Sequence, residues 1–88
     1  LTWTVRLHTI PEDKLTALAE YCMEAALKDP TFQYHIERDK EQIIPTLGVG
    51  KVKCITIECE NKDQAYRRGV LFHHRFGCYF EVEWRTNK

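Results

Sequence analysis

The stretch Lys51-Val52-Lys53-Cys54-Ile55-Thr56-Ile57-Glu58-Cys59-Glu60, followed at once by Asn61–Phe76, decides the fold. In its first part Ile55, Ile57 and Cys59 alternate with Cys54, Thr56 and Glu58, the pattern of a strand with one buried face. The period then changes. Ala65, Tyr66, Gly69, Phe72 and Phe76 recur at helical spacing, so a helix follows directly and turns those residues inward. His73, His74 and Arg75 complement the helix dipole in its last turn, and Gly77 predicts a left-handed stop. Beyond it, Tyr79–Arg85 alternates again, with Phe80, Val82 and Trp84 inward and Tyr79, Glu81, Glu83 and Arg85 outward.

The same strand–helix unit opens the chain. Trp3, Val5 and Leu7 alternate with Thr2, Thr4, Arg6 and His8, and a helix is predicted over Pro11–Lys28. Leu15, Leu18, Ala19, Cys22 and Ala26 form its inward stripe, Thr9 and Glu12 have capping-box spacing, and Asp29-Pro30 ends it. Phe32, Tyr34 and Ile36 alternate with Gln33, His35 and Glu37, which predicts a second strand. Asp39–Gly50 reads as a long connection, charged at its start and apolar at its end, broken by Pro45, Gly48 and Gly50.

The order β-α-β-β-α-β predicts an α+β ferredoxin-like two-layer sandwich, one domain over residues 1–88. Its four-stranded antiparallel sheet has the order 4-1-3-2, with two helices on one face. Antiparallel pairing of the first and fourth strands then sets Arg6 near Glu81 or Glu83.

Composition narrows the function. With 43% hydrophobic residues a conventional core needs no staple. Thirteen basic residues balance thirteen acidic ones, so no global field recruits nucleic acid or membrane. No apolar run approaches the ~20 residues of a membrane span. Cys22, Cys54, Cys59 and Cys78 lie at no C-x-x-C spacing and read as reduced thiols, which places the chain in the cytoplasm. Charge is nonetheless unevenly spread: the first helix is acidic and the second basic.

RNA-recognition motifs and acylphosphatases share this topology, but the likeness stops there. The outward residues of the first and third strands (Thr4, Arg6, Cys54, Thr56) supply no aromatic platform for bases. His8-Thr9-Ile10-Pro11 is no phosphate cradle, and Leu47-Gly48-Val49-Gly50-Lys51 lacks the spacing and following helix of a Walker motif. Histidines and cysteines assemble no tetrahedral set, so no metal and no cofactor is expected. Cys54, with His8 and His35 on its face, sits among glutamates rather than in an electropositive pocket, so no catalytic residue is expected and the chain does not read as an enzyme.

Two surfaces remain. Ile43, Ile44, Leu47 and Val49 exceed what a solvated loop normally carries, and predict a contact with a protein partner or with a second copy. Arg67 with His74, and Arg68 with Arg75, lie seven residues apart on a helix and would contact phosphates of an anionic partner such as nucleic acid. The reading is a small interaction or regulatory protein acting through residues 43–49, with the basic second helix as the alternative.

Overall fold

The computed structural model describes the backbone of residues 2–44 and 49–85, and the side chains of 2–39 and 51–84. Six elements follow one another: β1 (Thr2–His8), α1 (Glu12–Lys28), β2 (Tyr34–Ile44), β3 (Val49–Cys59), α2 (Lys62–Phe76) and β4 (Tyr79–Arg85). The strands form one sheet in the order β2-β3-β1-β4, with both helices on one face, a ferredoxin-like two-layer sandwich. Every neighbouring pair is antiparallel.

Period-two burial explains the core. Val5, Leu7, Ile55 and Ile57 are fully buried on the helix side of the two central strands. Leu18 and Cys22 of α1 and Ala65, Phe72 and Phe76 of α2 close over them. Tyr21 meets Phe72 edge-on at 5.3 Å between ring centroids, and Phe72 stacks with Phe76 at 5.9 Å. These rings join the two helices above the sheet.

The helix ends follow local chemistry in three places out of four. Asn61 caps α2 by accepting the Gln64 N–H at 2.8 Å. Gly77 ends α2 at φ 70°, in the left-handed region that favours glycine, and its N–H donates to the His73 carbonyl. Asp29 leaves α1 in an extended conformation before Pro30. At the start of α1 the expected Thr9/Glu12 capping box does not form. Thr9 instead takes a positive φ of 51°, Pro11 occupies the N-cap position, and no side chain caps the helix. The tight turn out of β1 rotates the Thr9 hydroxyl onto His8 Nδ1 at 3.0 Å, away from the helix amides.

Burial departs from the expected alternation at the margins. Thr4 and Cys54 lie on the sheet face without helices yet are buried. Tyr66 and Trp84 were expected inside, but each is about half exposed, at 49% and 51%. The connection predicted over Asp39–Gly50 is also mostly strand, since β2 runs to Ile44 and β3 starts at Val49.

Candidate functional site

The long hairpin is built by strands of unequal reach. β1 ends with His8 opposite Cys54. From residue 49 to 53, β3 therefore has only β2 beside it among the described residues. At about 3.3 Å per residue this two-stranded arm continues for about 15 Å past β1. Two irregularities shape it. Glu37 pairs with Cys54 but Arg38 with Val52, so Lys53 is surplus on β3. Such a bulge adds local twist, and here it brings Val52 back onto the core cluster while Lys53 stays exposed. A second shift follows Asp39, and beyond it Ile43 pairs with Gly50 and Ile44 with Val49. Three of the four expected partner-binding residues thus sit at the tip of paired strands; Leu47 lies outside the described residues. Lys51 ties the base of the arm to the start of α1 through Glu12 at 3.0 Å.

On the helix-free face, strand register sets Glu37, Cys54, His8 and Tyr79 in one row and His35, Thr56, Arg6 and Glu81 in the next. Arg6 meets Glu81 at 3.5 Å, as the strand pairing predicted. Cys54 is sealed under these side chains, and its thiol donates to Glu37 Oε2 at 3.1 Å. Burial, and next the Glu37 carboxylate, push the Cys54 thiol up; the Arg6 guanidinium opposes them. A protonated, covered thiol is a poor nucleophile.

The same hydrogen bond holds the Glu37 carboxyl below its ordinary range, with Lys53 adding to the effect. Because folding depresses this pKa, the contact favours the fold above the ordinary glutamate range and is lost as pH falls through the lowered value. Cys54→Ala is expected to return the Glu37 midpoint toward that of a free glutamate. A carbon-detected side-chain NMR titration reads it, and an unmoved midpoint would remove the thiol as the cause.

Three of the four cations singled out on α2 have close neighbours of their own. Arg67 pairs with Asp63 at 2.9 Å. Arg68 donates to the Glu58 carbonyl at 2.9 Å and lies 5.1 Å from the Phe32 ring centroid. Arg75 lies 4.9 Å from the centroid of Tyr21 on α1. His74 is exposed beside His73, which stacks on Tyr79. Seven-residue spacing does align them along the helix, but neighbouring aromatics and acids hold three of the four.

All four cysteines are free and buried; burial, with the Cys78 thiol nearby, raises the Cys22 pKa to about 11. Among the described residues no group of three His, Cys, Asp or Glu side chains could hold a metal ion. A shallow polar hollow lies between the end of α1 and the start of α2, lined in part by Asp29, Thr31, Glu58 and Arg68. Its groups answer one another: Asp29 accepts from the Thr31 N–H at 2.9 Å and hydroxyl at 2.7 Å.

The surface that sequence reading missed is the outer edge of β4. Tyr66 and Val70 of α2 and Trp84 of β4 are exposed along it, with Phe80 half-buried between them. Helical and strand spacing pointed Tyr66 and Trp84 inward, and Val70 was not singled out; all three lie open.

Among the described residues no helix is long and apolar enough to cross a membrane. Comparison with protein-family models, curated proteins and solved structures finds no match to this chain.

Proposed function

We propose that this protein acts by binding another polypeptide rather than by catalysis, with Ile43, Ile44, Leu47 and Val49 as the apolar contact. One observation carries this reading: past β1 the β2–β3 arm continues with only two strands beside each other, and at its far end Ile43 pairs with Gly50 and Ile44 with Val49. An isolated ribbon of two strands is marginal in water, and packing against a further surface stabilises it. Apolar residues concentrated at such a tip favour a partner or a second copy over solvent.

The test is Ile44→Asp combined with Leu47→Asp. Size-exclusion chromatography with light scattering, and chemical crosslinking in lysate of the native source, read self-association and partner capture. The double change is expected to weaken association by about thirtyfold or more, the loss of roughly 2 kcal/mol typical of a central apolar contact. The melting temperature should stay close to that of the parent, because the tip lies beyond the two-layer body. A folded variant that associates as before would overturn the assignment.

A further inference from the structure

The turn that joins β1 to α1 sets a hydroxyl, an imidazole and a carboxylate in line. Thr9 Oγ1 lies 3.0 Å from His8 Nδ1, and Glu81 Oε1 lies 3.7 Å from Nε2 on the other side of the ring. The second Glu81 oxygen faces Arg6 at 3.5 Å, so the carboxylate is held from both ends. Strand register fixes this approach, because β1 meets β4 with Arg6 opposite Glu81 and His8 opposite Tyr79. The exposed Tyr79 ring stands beside His8 at 6.3 Å between centroids.

Each group takes the role its chemistry allows. A carboxylate only accepts, so Glu81 favours the imidazole hydrogen on Nε2. His8 Nδ1 then presents its lone pair to Thr9, whose hydroxyl donates to it. A hydroxyl aimed at a bare imidazole nitrogen, with the ring oriented by a third group, is the arrangement that activates oxygen nucleophiles. Two further observations set Thr9 apart from an ordinary surface threonine. Its φ of 51° is one that β-branched residues rarely adopt, and strain of this kind gathers at functional positions. Its hydroxyl is also released from helix capping, since α1 starts without a side-chain cap. Thr9 is exposed, and among the described residues that hydroxyl has no partner but His8.

We propose that Thr9 is an acyl-accepting hydroxyl, activated by His8 and positioned through it by Glu81, with small activated carboxylic esters as its substrate class. Thr9 Oγ1 forms a bond to the acyl carbon while its proton passes to His8 Nδ1. The bond from that carbon to the leaving oxygen then breaks. The leaving oxygen keeps the electron pair and takes the proton back from His8. The product is one ester on the chain itself, a single transfer that needs no turnover. It makes no use of residues 43–49, so it stands or falls independently of the arm.

The probe is p-nitrophenyl acetate on the unmodified protein. Absorbance follows nitrophenolate release, and tandem mass spectrometry maps the acetyl group. A burst of about one equivalent per chain is expected, with the acetyl group on Thr9. Thr9→Ser should keep the burst, and Thr9→Gly, which suits the left-handed turn, should abolish it. Glu81→Gln is expected to slow the burst about tenfold, because an amide can donate as well as accept at Nε2. Long-range proton–nitrogen spectra should place the His8 hydrogen on Nε2 in the parent and on both nitrogens in that variant. Three results would overturn the proposal: no burst, acetyl groups on lysines or His8 but not on Thr9, or a His8 hydrogen on Nδ1 in the parent. The label map on the parent decides even if a variant fails to fold.

Discussion

Phe72→Ala is expected to lower the free energy of unfolding by about 3–5 kcal/mol, the usual cost of removing a fully buried ring. Phe72 is 1% exposed and touches both neighbours that matter: Tyr21 on α1 and Phe76 one turn along α2. Its backbone carbonyl also accepts from the buried Cys78 thiol at 3.6 Å. Val5, Leu7, Ile55 and Ile57, held in strands, belong to the same buried cluster. A domain of this length has only roughly 4–13 kcal/mol of stability in total. The change should therefore cut the denaturant midpoint sharply while leaving the slope of the transition unchanged. In thermal melts the expected fall is at least about 12 °C. A loss below about 1 kcal/mol would mean that the ring is not central to the core.

Gly69→Leu is expected to destabilise by about 1–3 kcal/mol, for the opposite reason. A Cβ at Gly69 would fall within the van der Waals envelope of the Phe80 ring. Gly69 is thus the point where α2 presses closest onto β4, and any side chain lifts the helix or twists the ring from its rotamer. Gly69→Ala separates this from local propensity. In an open helical position alanine would stabilise by about 1 kcal/mol; here a net loss is expected. Combining Gly69→Leu with Phe80→Ala should cost less than the sum of the two single changes, because the shortened side chain vacates the space that leucine needs. Strict additivity in that cycle would place the strain elsewhere.

Residues with one face against the core announced themselves in the sequence. Val5, Leu7, Ile55 and Ile57 alternate because every second position is sealed by a helix, and Leu18, Cys22, Phe72 and Phe76 recur because one stripe of each helix does the sealing. The left-handed stop at Gly77 was legible too, whereas the cap at Asn61 was not read from the sequence. The β2–β3 arm was not legible either. Arg38-Asp39-Lys40-Glu41-Gln42 shows no alternation, since a ribbon without a third strand or a covering helix imposes none, and two register shifts break what periodicity there is. The capping box failed at Thr9 because the turn from β1 demanded a left-handed backbone there, and local spacing carries no record of that demand.

Cys54, Tyr66 and Trp84 mark the same boundary from the other side. An outward position in mid-sheet can be sealed by long neighbours, as Arg6 and Glu37 help to seal Cys54. An inward position on an edge strand can remain open, as Trp84 does. The candidate site was accordingly half legible: its apolar residues 43–49 stood out by composition, while the β4 edge did not.

Order of elements, strand parity, most of each helix face and the placing of Arg6 near Glu81 or Glu83 were determined by the sequence alone, because each depends on spacing along one element or on register between two. The projection of the arm, the opening of the β4 edge and the neighbours that the α2 cations take were decided only in three dimensions. They depend on where one element ends relative to its neighbours and how closely α2 can approach Phe80, and those are properties of packing rather than of period.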